Sequence, residues 1–250
     1  MRGHRRVQVV GSTDLSPTVR ALTLELLGDV SFTFDAGQYV HLFVPTEGGL
    51  VFKRPYSIAS APPSAAAAAA GGARARFDIA VTRVEGPTSA ALHGLAPGTR
   101  LEIEGPSGSF VRRDRSDPAL FVATGTGLAP LRSMLADALA EPTASTTPLS
   151  LLFGCRTEED ILWRDELERW RRDHPRFRFE VTLSRAPERW RGPRGYVQTH
   201  LKEMLDDLRE GGGAPRAYVC GVSAMVLDVV DVLERKLDLE RDRIHYETYD

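Results

Sequence analysis

Arg54-Pro55-Tyr56-Ser57 sets a phosphate-binding cation, a rigid turn former, an aromatic face and a small hydroxyl side by side. An arginine fork can pair with a pyrophosphate, and a tyrosine can stack on a flat heteroaromatic ring. A serine hydroxyl can hydrogen-bond a ring nitrogen, and together these are the tools for seating a flavin with its N5 edge at Ser57, where a hydride arrives. Tyr56 would serve equally well as a core residue. A second cluster, Thr124-Gly125-Thr126-Gly127-Leu128-Ala129-Pro130, joins a predicted strand directly to a predicted helix. Bare backbone amides there, at a helix N-terminus, can face a pyrophosphate. Pro130 stands where the dinucleotide fingerprint has a third glycine, and proline suits a helix's first turn. The same residues also suit a tight strand-to-helix turn with no ligand.

Two shorter sets carry related chemistry. Gly86-Pro87-Thr88-Ser89 precedes a short predicted helix and offers amides and hydroxyls to a second anion, with Ser89 as a plain cap the alternative. Ser184-Arg185 follows a strand ending at Leu183, and Arg194 and Tyr196 come soon after in Arg-Gly-Tyr-Val-Gln. A carboxylate after that strand would suit the ribose hydroxyls of NAD, whereas hydroxyls and cations suit the 2′-phosphate of NADP. No acidic residue directly follows the strand, so the expectation is NADPH rather than NADH. Arg185 and Arg194 would otherwise be solvated surface charges.

The elements that must position these residues fall into two grammars. The first part of the chain reads as short strands separated by turn residues, with almost no helical periodicity until Thr88: 6–10, 21–27, 39–44, 54–60, 76–84 and 99–104. Alternation such as Val40, Leu42, Val44 predicts a six-stranded antiparallel barrel. Between two of these strands, Pro62-Pro63-Ser64, the alanines 65–70 and Gly71-Gly72 read as a variable loop tip. After the polar run 112–117 strands alternate with helical patterns, which predicts a doubly wound parallel sheet. Its strands are expected at 119–124, 149–153, 177–183, 217–220 and 243–247, and its helices at 131–140, 158–172, 196–208 and 224–237. The predicted division is a barrel domain at 1–115 and an α/β domain at 116–250.

Bulk properties narrow the function classes. With 32 basic and 34 acidic residues the net charge is -2, which gives no electrostatic warrant for nucleic-acid or anionic-membrane binding. No apolar run approaches the roughly 18 residues of a spanning helix, and the basic N-terminus leads into Val7 and Val9 rather than a signal core, so the expected location is cytoplasmic. Cys155 and Cys220 are too few for an all-cysteine iron-sulfur or zinc site, and the six histidines show no ligand spacing. No metal site is therefore expected. No Gly-x-Ser-x-Gly elbow or Walker lysine motif occurs, which argues against hydrolase and nucleotide-triphosphatase chemistry.

The order of these motifs resembles the ferredoxin-NADP reductase superfamily, an FAD-binding barrel followed by a nicotinamide-nucleotide domain, over nearly the whole chain. The resemblance implies that Arg54, Tyr56 and Ser57 hold the flavin, that Gly86 and Ser89 hold its pyrophosphate, and that Gly125, Gly127 and Pro130 receive the pyridine nucleotide. Pro55, Val81 and Thr88 complete the flavin-side candidates, and Thr124 and Thr126 the nucleotide side. The resemblance also places Cys220-Gly221 beside the nicotinamide, makes Ser184-Arg185 the 2′-phosphate site, and puts Ser57, Cys220 and Glu247 along the hydride path. Tyr249 is the matching C-terminal aromatic that covers the flavin, although Asp250 follows it where plastid-type members end on the aromatic itself.

The expected activity is transfer of electrons from NADPH through FAD to a separate one-electron acceptor, such as ferredoxin, flavodoxin or an oxygenase component, or the reverse. An NADH-dependent oxygenase reductase component or a flavin or quinone reductase is the alternative enzyme. A nucleotide-binding redox-sensing module is the alternative that is not an enzyme.

Overall fold

In a computed structural model the described residues are 4–28, 32–63, 75–140, 147–210 and 213–249. The alanine stretch 65–70, read above as a loop tip, lies outside them. The chain divides into two compact units, Met1–Val111 with Arg132–Asp137, and Arg112–Leu131 with Ala138–Asp250.

The first unit is built on β1 (Arg5–Ser16), β2 (Val19–Leu26), β3 (Tyr39–Pro45), β4 (Val51–Ser57), β5 (Arg76–Thr82) and β6 (Arg100–Ser107), with the short helix α1 (Pro87–His93). The strands form an antiparallel sheet in the order β4-β3-β6-β1-β2-β5. An isolated antiparallel bridge between Ile58, just past β4, and Ile79 of β5 joins the two edges and closes the barrel. The barrel interior follows from the side-chain period of two. Val7 and Val9, Leu22, Leu24 and Leu26, Val40, Leu42 and Val44, and Phe77, Ile79 and Val81 all face one buried core.

The second unit contains β7 (Ala119–Thr124), β8 (Leu149–Cys155), β9 (Phe177–Leu183), β10 (Arg216–Val222) and β11 (Ile244–Tyr249). Every pairing is parallel and the order is β11-β10-β7-β8-β9, so the strand order reverses at β7. That is the doubly wound arrangement, whose ligand crevice lies at the carboxyl ends of the strands flanking the reversal, here β7 and β10. Helix α2 (Leu128–Leu139) follows β7, and α3 (Arg164–Asp173), α4 (Leu201–Glu210) and α5 (Ser223–Asp231) come later. α4 buries Leu201, Met204, Leu205 and Leu208, an apolar stripe at helical spacing, in a core shared with Leu120 and Val122 of β7 and Leu152 of β8.

Several expected elements differ: the strand expected over 54–60 runs Val51–Ser57, the helix expected over 196–208 is a tight turn at Val197–Thr199 followed by α4 from Leu201, and two further helices depart in detail. The helix expected over 158–172 is broken: Thr157 and Asp160 form a reciprocal capping box around one tight turn, Ile161 steps to an extended conformation, and Trp163 adopts φ 49 before α3 begins. The step buries the adjacent Ile161 and Leu162 together. The helix expected over 224–237 runs regularly only to Asp231 and then widens over Val232–Lys236. No helix of the described residues is long and apolar enough to cross a membrane.

Candidate active site

In the first unit β4 lies at the edge of its sheet and pairs with β3, Ser57 opposite Tyr39, Tyr56 opposite Val40 and Pro55 opposite His41. An edge strand tolerates the proline, which has no N–H for a second neighbour. Arg54 and Pro55 are exposed, Tyr56 packs against the barrel core and Ser57 is buried to 8% exposure, so burial rises toward the end of the strand rather than alternating along it. Burial pushes the Tyr56 phenol up to about 12, with the nearby Arg54 charge opposing, so the ring is a neutral donor at any physiological pH. Arg54 donates to the Lys53 carbonyl at 3.1 Å and lies over the Phe52 ring. Among the described residues no carboxylate pairs with it, so its charge is available to an anionic ligand. Such a set fits FAD.

The chain beyond Ser57 is gripped by two donors that the sequence reading missed. Arg132, only 11% exposed at its side chain, donates to Ala59 O at 2.8 Å, and Ser133 Oγ donates to Ser60 O at 2.7 Å. Both are separated from their acceptors by 73 residues, and the acceptors are backbone carbonyls, so no local pattern announces them.

Other flavin-side candidates take different places. The Val81 side chain is buried in the barrel core, which leaves only its backbone near any ligand. Ser89 is buried too: its hydroxyl accepts from Val84 N–H at 3.0 Å and donates to Thr82 O at 3.3 Å, which fixes the turn into α1. Gly86 has φ 130, and nothing lies within 4 Å of where its Cβ would stand. Thr88 is half-buried in the first turn of α1.

In the second unit, Gly125 turns at φ +54 after β7, a single tight turn spans Gly125–Gly127, and α2 follows with Pro130 in its opening turn. Two glycines lock the ends of β7 and β10 together. A Cβ on Gly127 would stand 2.5 Å from the Cys220 carbonyl carbon and 2.7 Å from Gly221 Cα. A Cβ on Gly221, itself at φ +155, would run into Thr124 Oγ1 and stand 2.6 Å from Met225 Cε. Around Gly125, by contrast, space is open. The Thr124 hydroxyl oxygen is buried and has no hydrogen-bond partner among the described residues. A glycine cradle with an unsatisfied buried hydroxyl at its floor fits a pyridine nucleotide, whose polar groups can supply the missing bond.

Cys220, Glu247 and Tyr249 come together through the β10–β11 register, which sets Cys220 opposite Glu247 and Val222 opposite Tyr249. Burial pushes the Cys220 thiol well above its ordinary range, and the Glu247 charge adds to this, while hydrogen bonds from Tyr249 and the Gly221 backbone offset part of it. Burial likewise raises the Glu247 carboxyl. Cys155, which donates to Thr157 O at 3.3 Å, is pushed up to about 12 by burial and then by the Asp160 charge. Both thiols therefore stay protonated at neutral pH, and the thiol, not the thiolate, is what Cys220 presents. Iodoacetamide at pH 8 is expected to label neither cysteine in the folded protein and both in denaturant. Mass spectrometry reads this directly, and rapid labelling of folded Cys220 would contradict it.

At the end of β9, Ser184 N–H donates to Cys155 O at 3.0 Å and Arg185 N–H to Arg156 O at 2.9 Å, which ties the loops after β8 and β9 together. The Arg185 side chain is exposed, and among the described residues no carboxylate pairs with it. Arg156 beside it is a second exposed guanidinium. Tyr196 is 67% exposed, an unusual setting for a ring with no packing task. Arg194, expected to be a further ligand cation, is instead engaged with the carbonyls of Ala186, Pro187, Glu188 and Trp190. Among the described residues no group of three or more His, Cys, Asp or Glu is placed to hold a metal.

Comparison with known proteins gives this geometry a family. Residues 6–111 match the oxidoreductase FAD-binding domain and residues 121–231 the oxidoreductase NAD-binding domain. Over 247 residues the chain is 46% identical to ferredoxin--NADP reductase B of Sorangium cellulosum, covering 97% of this chain and 96% of that one. The chain belongs to the ferredoxin-NADP reductase superfamily. Its members include more distant relatives that are longer: the phenol hydroxylase P5 protein of Acinetobacter pittii is 30% identical over 96% of this chain, which spans 64% of that protein. Among solved structures, the Amycolatopsis cytochrome P450 reductase GcoB superposes with TM-score 0.80 at 28% identity, covering 98% of this chain and 69% of that one. As a superfamily member the protein is a ferredoxin-NADP reductase-like flavoprotein oxidoreductase, with FAD and NAD(P) as its cofactors.

Proposed function

We propose that this reductase takes hydride from NADPH and delivers electrons one at a time to a separate redox protein such as ferredoxin or flavodoxin, or runs the same path in reverse. In this reading residues 1–115 serve as the FAD-binding barrel and 116–250 as the nucleotide domain. Bound FAD supplies the exchange between a two-electron hydride and single electrons, chemistry that no side chain offers. Arg54 pairs with the FAD pyrophosphate, Tyr56 stacks on the ring system and Ser57 hydrogen-bonds its N5 edge. Gly86, Thr88 and the α1 amides hold the remaining phosphate. On the nucleotide side Thr124 to Gly127 cradle the pyrophosphate, Cys220 and Gly221 border the nicotinamide with Glu247 and Tyr249 beside them, and Tyr196 stacks on the adenine. Their contribution is orientation rather than acid-base chemistry, consistent with a neutral Cys220 thiol.

The observation that carries the NADPH reading is the exposed Arg185 guanidinium, which lacks a carboxylate partner among the described residues and directly follows Ser184 at the end of β9. A charge-assisted bond to the 2′-phosphate contributes about 1.5–3 kcal/mol, which is about 10- to 150-fold in affinity. Arg185→Gln is therefore expected to lower kcat/KM for NADPH about 30-fold while that for NADH stays within about threefold. Anaerobic stopped-flow bleaching of the flavin by each nucleotide, in wild type and variant, measures both. A wild-type protein bleached equally fast by NADH would sink the NADPH assignment.

A further inference from the structure

The segment between β9 and α4 closes on itself around one side chain. Its ends are tied, since Leu183 and Arg194 form a parallel bridge, with Leu183 N–H donating to Pro193 O at 3.2 Å and Gly195 N–H to Leu183 O at 3.0 Å. Inside the ring so formed, Arg194 Nη1 donates to Ala186 O at 3.1 Å, and Nη2 reaches Pro187 O at 2.9 Å, Glu188 O at 3.1 Å and Trp190 O at 2.9 Å. The far side is braced by Trp190, whose indole N–H donates to Pro193 O at 2.9 Å and whose ring fills the space of a Gly192 side chain. Below, His200 Nε2 lies 2.9 Å from Arg194 O, and Thr182 Oγ1 donates to Gly195 O at 3.0 Å. This is a compact loop with neighbouring ends, held by its own contents. It carries Ser184 and Arg185 at its entry.

Carbonyl oxygens converging on a guanidinium satisfy charge with dipoles, and the planar fork is what lets one group reach all four. A cation so engaged is spent on the loop. We propose that Arg194 is a positioning residue: it folds the 184–193 loop around its guanidinium, presets Ser184 and Arg185 for the 2′-phosphate, and is not itself a phosphate ligand. This rests on the NADPH reading above. It departs from the expectation that every arginine near the end of β9 meets the phosphate directly.

The test combines Arg194→Gln, Arg194→Lys, Arg185→Gln and the double variant, all made in the FAD-loaded protein. If Arg194 acts through Arg185, Arg194→Gln lowers NADPH kcat/KM about tenfold, and that loss shrinks to within about twofold on the Arg185→Gln background. Arg194→Lys is expected to be as poor as Arg194→Gln, because an ammonium keeps the charge but cannot span four carbonyls. Hydrogen exchange measured without nucleotide should show the Trp190 and Gly195 amides, both hydrogen-bonded in the loop, exchanging at least about tenfold faster in either Arg194 variant. Losses that multiply in the double variant, a lysine that preserves NADPH use, or unchanged exchange would each overturn the proposal. If Arg185→Gln leaves the NADPH-to-NADH ratio unaltered, the 2′-phosphate reading fails at Arg185, and the exchange rates still decide the clamp on their own.

Discussion

Arg54→Ala is expected to release FAD, raising its dissociation constant by about two orders of magnitude while the stability of the FAD-free protein hardly moves. The argument turns on what Arg54 does without a ligand. It donates to one backbone carbonyl and lies over the Phe52 ring at 5.2 Å, on the exposed side of edge strand β4. Exposed contacts of this sort contribute at most about 1 kcal/mol. A guanidinium paired with a pyrophosphate makes two charge-assisted hydrogen bonds, and losing them costs about 3 kcal/mol or more, which is about 150-fold in affinity. Arg54→Lys keeps the charge but loses the bidentate fork, so an intermediate loss is expected. Flavin fluorescence, quenched when bound, gives the dissociation constants, and thermal melts with and without added FAD separate binding from folding. A variant that keeps its flavin through gel filtration would remove Arg54 from the pyrophosphate site.

Gly127→Ala is expected to damage folding itself. The added methyl would sit 2.5 Å from the carbonyl carbon of Cys220 and 2.7 Å from Gly221 Cα, and both obstacles are backbone of the interior strand β10. Overpacking in a core costs about 1–3 kcal/mol and more where nothing flexible can give way. With backbone on the opposing side, a cost of about 3 kcal/mol corresponds to a fall of about 6–12 °C in the melting temperature of a unit of this size. Gly125→Ala supplies the contrast. Nothing lies within 4 Å of its missing Cβ, so the penalty there is the left-handed backbone at φ +54, about 1–2 kcal/mol. That methyl would project into the open space assigned to the nucleotide. Nucleotide affinity should therefore suffer more than stability in Gly125→Ala, and the reverse in Gly127→Ala. Calorimetry and nucleotide titration on the two variants check the pair, and a Gly127→Ala melt within about 2 °C of wild type would mean that the two strand ends are not locked as described.

Much of the architecture was open to reading because its causes are local. The period of two in Val40, Leu42 and Val44 forces one face of β3 inward whatever lies across it. The turn at Gly125 to Gly127 is legible because only glycine accepts both the left-handed backbone at one position and the close approach at the other. Arg54 to Ser57 is legible because four functional groups sit on consecutive residues, although their exposure falls from Arg54 to Ser57 rather than alternating.

What only the tertiary structure decided concerns partners distant in sequence and anonymous in type. Arg185 and Arg194 are indistinguishable as arginines near the end of β9, and both are exposed, yet among the described residues one has no carboxylate partner and the other has its guanidinium ringed by four carbonyls. Every residue carries a carbonyl, so no residue type marks where four of them will converge. The grip of Arg132 and Ser133 on Ala59 and Ser60, the inward turn of Val81, and the capture of the Ser89 hydroxyl between Val84 and Thr82 are of the same kind. The pairing of Cys220 with Glu247 needed the β10–β11 register, and the raised pKa of both followed from burial that no spacing in the chain could supply. The sequence by itself determined which backbone conformations and which faces were possible, because these depend on a residue and its neighbours. The fold determined which charges remained free for a ligand, because that depends on which backbone carbonyls and side chains the folded chain brings around each arginine.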